Sequence, residues 1–200
     1  MMKVNESDNS NIYYIIMNKP EGYVCSAVSD SHKTVYELLT PDLQSLMKAK
    51  RGSRLHTVGR LDCDTSGLLL FTTDGDFSHK LTAPDCHVPK SYLVTLKASV
   101  EGFENQKKYM EYFSKPHLLP PEKKAPEQTA SPAKLEFFSS SVCKVTINEG
   151  KFHQVRRMFL GIGNQVVKLH RLSVGEYVLD EGLKPGDYHF FDKYNALFYN

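Results

Sequence analysis

A chain of 200 residues, 40% hydrophobic, 11% aromatic and 24% charged, has the composition of a globular protein and is long enough to bury a core without staples. No apolar run approaches the roughly 20 residues of a membrane helix, and the opening MMKVNESDNSNIYY lacks the basic-then-apolar pattern of an export signal. The net charge of +2 excludes little, but its distribution is uneven. Five basic residues and no acid lie between Asp42 and Asp62 (Lys48, Lys50, Arg51, Arg54, Arg60). Five more lie between Glu149 and Glu176 (Lys151, Arg156, Arg157, Lys168, Arg171), so the other 15 basic residues face 23 acids. Such segregation suits a polyanion-binding face on an acidic body. It also suits two solvated faces pointing in unrelated directions.

In chain order, residues 1–10 are expected as a disordered lead-in. The run 12–17 (IYYIIM) reads as a strand, closed by the turn signal Lys19-Pro20-Glu21-Gly22, with 23–26 extended again. Residues 34–39 and 43–50 look helical, with Pro41 between them. The almost wholly apolar run 68–72 fits a strand buried on both faces, followed by a helix over 76–83 that stops at Pro84. A strand over 91–96 and a helix over 101–113 come next. Five prolines in 114–132 predict a variable loop or insertion, the most dispensable part of the chain. Strands over 133–138 and 142–148, a helix over 151–162, an extended 166–174 and a last strand over 188–191 complete the reading. Strands outnumber helices and several are hairpin-spaced, which predicts an α+β fold with a mixed, mainly antiparallel sheet and flanking helices.

The cysteines Cys25, Cys63, Cys86 and Cys143 are far apart and form no CxxC pair. They read as reduced packing residues of a cytoplasmic protein rather than a disulfide or zinc framework. The polar stretch with most chemical promise is 56–75, HTVGRLDCDTSGLLLFTTDG, which holds Asp62 on a loop just before the apolar strand. An acid fixed against a rigid strand is a common catalytic arrangement. A turn-forming, capping role for Asp62 or Asp64 fits the same pattern, and the residues alone leave both open. In 148–159, NEGKFHQVRRMF, helical spacing puts Phe152, Val155, Phe159 and Ile162 on an apolar stripe and His153, Arg156 and Arg157 on an opposite basic ridge. Tyr92, after Lys90 and Ser91, could stack on a flat ring or simply fill the core.

GRLD with TSGLLLFTTDG, then KSYLV, then EGKFHQVRRMF and VVKLHRLSVG, in this order and spacing, resembles the RsuA/RluB/RluE/RluF family of pseudouridine synthases. The opening NKPEGYVCS also resembles that family's first catalytic strand and turn, so the likeness covers about residues 11–191. The resemblance implies the pseudouridine synthase fold over 11–200 and isomerisation of a uridine in ribosomal RNA. Small-subunit rRNA is the first expectation, and large-subunit rRNA or a non-catalytic ribosome-assembly factor the alternatives. A glycosidase pairing Asp62 with Asp64 or Asp74 would leave the basic stretches unexplained.

Carried over by position, Asp62 is the essential aspartate, Tyr92 the tyrosine against the target base, and Arg156 the basic residue that pairs with the aspartate. Arg60 is expected near the flipped nucleotide's phosphate, with His153 and Gln154 architectural or RNA-contacting. The remaining basic residues, Lys48, Lys50, Arg51, Arg54, Lys151, Arg157, Lys168 and Arg171, are expected along the RNA backbone. Most members carry an S4-like RNA-binding domain ahead of the catalytic one, and this chain begins about ten residues before it. Either this member works without that module or the sequence is a piece of a longer chain. The isomerisation removes no atoms and changes no oxidation state, so neither a metal nor another cofactor is expected. The expected partner is ribosomal RNA or a subunit assembly intermediate, engaged by a cytoplasmic monomer.

Overall fold

A computed structural model of the chain describes residues 12–50, 52–122 and 124–192. The expected lead-in over 1–10 and Arg51 lie outside these residues. In chain order the strands are β1 (Tyr14–Lys19), β2 (Tyr23–Val24), β3 (Lys33–Thr34), β4 (His56–Val58), β5 (Thr65–Thr72), β6 (Lys90–Leu96), β7 (His117–Leu119), β8 (Gln128–Ala130), β9 (Lys134–Phe137), β10 (Val142–Ile147), β11 (Val166–Val174), β12 (Tyr177–Val178) and β13 (Tyr188–Phe190). The α-helices are α1 (Pro41–Ser45), α2 (Gly75–Thr82), α3 (Phe103–Phe113) and α4 (Gln154–Gly161).

The main sheet runs β13-β1-β5-β11-β6-β10-β9, with β12 added to β11 and β4 to β5. Every pairing in it is antiparallel except β5 with β11, where Thr65, Ser66 and Gly67 lie beside Leu169, His170 and Arg171. The sheet is thus mixed and mainly antiparallel, as the strand pattern predicts.

Both faces of the central strands are covered. On β1 and β5, Ile15, Met17, Leu69 and Phe71 enter the larger core with Val155, Met158 and Phe159 of α4. The alternate residues Tyr14, Ile16, Leu68 and Leu70 pack under Phe77 of α2. Side chains of a strand point to opposite faces, so an unbroken apolar run is what a doubly covered strand requires. Asp74 caps α2 by accepting from the backbone N–H groups of Asp76 and Phe77.

Several elements differ from the sequence reading. Pro41 opens α1 instead of separating two helices, because the first helical position needs no backbone donor. Residues 34–39 form only a single 3-10 turn, Val35–Leu38. The segment 114–132 is not patternless: β7 and β8 pair, and Leu119, Ala125 and Ala130 are buried. Of the cysteines, Cys25 and Cys143 are packing residues but Cys86 is exposed.

Candidate active site

Asp62 sits on the loop joining β4 to β5, and two buried cations grip that loop from beneath. Lys19, at the end of β1 and fully buried, spends its ammonium on the carbonyls of Thr65 (2.7 Å), Asp62 (3.0 Å) and Pro20 (3.1 Å). Burial pushes its pKa below the usual lysine value, while the thiols and carboxylates around it act the other way. Arg171 on β11 donates from Nε to Leu68 O (2.8 Å) and from Nη1 to Arg60 O (3.4 Å). Leu61 adds a third anchor: its N–H donates to Cys25 Sγ (3.3 Å), and the thiol lies 3.4 Å from its carbonyl. The burial that serves this packing also raises the Cys25 pKa.

Above the loop opens a cavity of about 690 Å³. Asp62, Arg60, Tyr92, Lys151, His153 and Arg171 all line it. Tyr92, in the middle of β6, is largely buried and faces the same space as Asp62. The turn from β10 to α4 forms the opposite wall. There Glu149 pairs with Lys151 and accepts from Gln154 Nε2 (2.7 Å) and from Ser131 N (2.9 Å), so the turn is tied down by its own side chains. Gln154 is buried in this role and also borders the cavity.

The expected pairing of Arg156 with Asp62 is not the one formed. Arg156 Nη2 meets Asp64 Oδ2 at 2.9 Å, and its guanidinium also donates to Asp64 O (3.1 Å) and Val166 O (3.2 Å). His153 stands closer to Asp62, with Nε2 3.7 Å from Oδ1. The reason is where the helix starts. His153 is the N-cap with left-handed backbone (φ 47°), so α4 begins at Gln154, not at residue 151. This displaces the predicted stripe: Phe152 is exposed and stacked on His153, with centroids 3.8 Å apart.

It also overturns the basic ridge. Arg157 is fully buried, donating to the carbonyls of Pro120, Leu119, Pro126 and Phe152 and to Gln128 Oε1. It cannot contact RNA. Arg171, 3% exposed, is likewise committed mainly to backbone. Lys48, Lys50, Arg54 and Lys168 are exposed but none lines the cavity; Arg54 borders a separate hollow with Met47 and His56. Sequence reasoning missed Lys19, Glu122 and Lys124. Glu122 bonds His153, and Lys124 lines the cavity from within 114–132, a segment with no helical or strand periodicity to flag it.

With this geometry, residues 13–160 match the family described as RNA pseudouridylate synthase. The chain belongs to that family. It is 43% identical over 175 residues to the ribosomal small subunit pseudouridine synthase A of Haemophilus influenzae, covering 88% of this chain and 68% of the relative. The Escherichia coli K12 protein of the same name is 42% identical with the same coverage. Among solved structures, a pseudouridylate synthase superposes with a TM-score of 0.79 at 40% identity, covering 93% of this chain and 73% of that one. A chain of an archaeal box H/ACA sRNP complex, at 17% identity and a TM-score of 0.55, shares the fold over 87% of this chain and 51% of its own. Among the described residues, no helix is long and apolar enough to cross a membrane.

Proposed function

We propose that this chain isomerises a specific uridine to pseudouridine in small-subunit ribosomal RNA, with Asp62 as the reacting carboxylate. The observation that carries the reading is Asp62 itself: an acid on a clamped loop, opening into a pocket of nucleotide size beside Tyr92. The likeness to the two small-subunit synthases supports the choice of RNA.

In the reaction the N1–C1′ bond breaks, uracil turns in place and C5 bonds to C1′. Asp62 acts while ionised, as nucleophile at C1′ or as base at C2′. The base has to leave its stack before the sugar is accessible, and stacking on Tyr92 offsets part of that cost. Arg60, Lys124 and Lys151 supply cations at the pocket wall for the flanking phosphates. Arg156 acts one step removed, holding Asp64 and so the far side of the loop.

The test is a carbodiimide and primer-extension map of both ribosomal RNAs from cells with and without the gene, complemented by wild type or Asp62→Asn. A small-subunit stop that disappears on deletion and returns only with wild type is expected. With Asp62→Asn the rate falls by roughly a thousandfold or more. A stop restored by the folded variant refutes the role of Asp62, and a stop confined to large-subunit RNA refutes the substrate.

A further inference from the structure

One cluster beside the cavity ties a carboxylate from outside its lining to a histidine within it. Glu122 Oε2 lies 2.8 Å from Nδ1 of His153, whose other nitrogen faces Asp62 at 3.7 Å. We propose that Glu122 is a positioning residue: it holds the His153 ring so that Nε2 faces the Asp62 carboxylate and keeps that carboxylate in its reactive orientation. The inference rests on the reading of Asp62 as the reacting group.

Valence sets the direction of the first bond. An ionised carboxylate only accepts, so in this contact Nδ1 carries the proton. Nε2 can then donate to the ionised Asp62 only when the ring is an imidazolium with both nitrogens protonated, so Glu122 on Nδ1 and Asp62 on Nε2 hold the same charged ring from its two ends.

Three further features hold the arrangement. His153 adopts a left-handed backbone, unusual for a residue with a side chain, at the cap of α4. Phe152 stacks on the ring at an interplanar angle of 19° and blocks its rotation. Glu122 is itself fixed, because its backbone exchanges hydrogen bonds with Ala125 (2.9 and 3.0 Å). The flanking residues Leu119, Pro120 and Pro126 are held by Arg157 of the same helix. One helix thus fixes both ends of the pair. The side chains of Glu122 and His153 are each 31% exposed and that of Asp62 38%, and ion pairs this open add little to stability. Strain kept without a stability return is better explained by a functional geometry.

The experiment joins a ring spectrum to a rate, both on the full chain. In histidine-¹⁵N-labelled protein, Glu122→Ala is expected to alter the His153 Nδ1 signal and Asp62→Asn the Nε2 signal. In single turnover on the target RNA, Glu122→Ala is expected to slow the chemical step by about tenfold to a hundredfold, with RNA affinity within about twofold of wild type. Glu122→Gln keeps an acceptor and is expected to recover most of the rate. In a His153→Ala background, Glu122→Ala is expected to cost nothing further. Additive losses, weakened affinity at an unchanged rate, or a ring spectrum indifferent to both variants would each overturn the proposal. If wild type makes no pseudouridine in either ribosomal RNA, the reading of Asp62 fails on its own. The ring spectrum then still decides whether Glu122 and Asp62 are coupled through His153.

Discussion

Gly67 shows how tightly the residues under the site are fitted. It pairs with Arg171 across the parallel β5–β11 contact, with φ of 103°. A Cβ there would lie 2.3 Å from Arg171 O and 2.6 Å from its N, both backbone atoms unable to move aside. Gly67→Ala is therefore expected to cost at least about 2 kcal/mol, read as a lowered denaturant midpoint. Burial drives a second residue effect. The Cys143 thiol, fully buried on β10, is pushed up to about 12 from the ordinary 9.0. The folded state thus keeps a proton that the unfolded chain releases. The associated stability is complete below pH 9 and is lost as pH rises toward 12, at about 1.4 kcal/mol per pH unit. Cys143→Ala should flatten denaturant midpoints measured between these limits. Cys25 and Tyr36, raised by the same cause, preserve part of the slope.

Among the elements, the pair β7 and β8 with the turns between them behaves as a second support for the site. It wraps the guanidinium of Arg157, and that side chain leaves α4 on the core side, away from the cavity. Removing the guanidinium strands several buried acceptors at once. Arg157→Leu is expected to lower stability by about 3 kcal/mol or more and to speed proteolytic nicking within 114–132. A variant with unchanged melting and unchanged nicking would show that the segment is held by its apolar residues alone.

For the whole molecule, the two basic stretches meet at the cavity only in part. One contributes Arg60 to the cavity and leaves Arg54 beside a different hollow; the other contributes Lys151 and an edge of the buried Arg171, and sends Arg157 inward. Fewer charges than the sequence count suggests are therefore available to phosphates near Asp62, and Lys124 joins them from the proline-rich segment. RNA affinity is expected to fall with salt. Lys124→Ala is expected to reduce the slope of log affinity against log salt by about 0.7–0.9, with target preference unchanged. A slope equal to wild type would place the RNA backbone elsewhere.

Local patterns in the chain determined the strands β1, β5, β6, β10 and β11, the helix α2 ahead of Pro84, and the family, through GRLD, KSYLV and HQVRRM. These depend on period, turn chemistry and motif order, which neighbouring residues specify by themselves. The tertiary structure alone decided which charges work at the site. Arg171 is internal because its acceptors Leu68 and Arg60 are 103 and 111 residues away, and Arg157 because a loop some thirty residues earlier closes over it. Helical periodicity says which side of α4 a residue takes, not whether water or a carbonyl waits there. For the same reason, the meeting of Glu122, His153 and Asp62 from three distant segments was invisible until the fold brought them together.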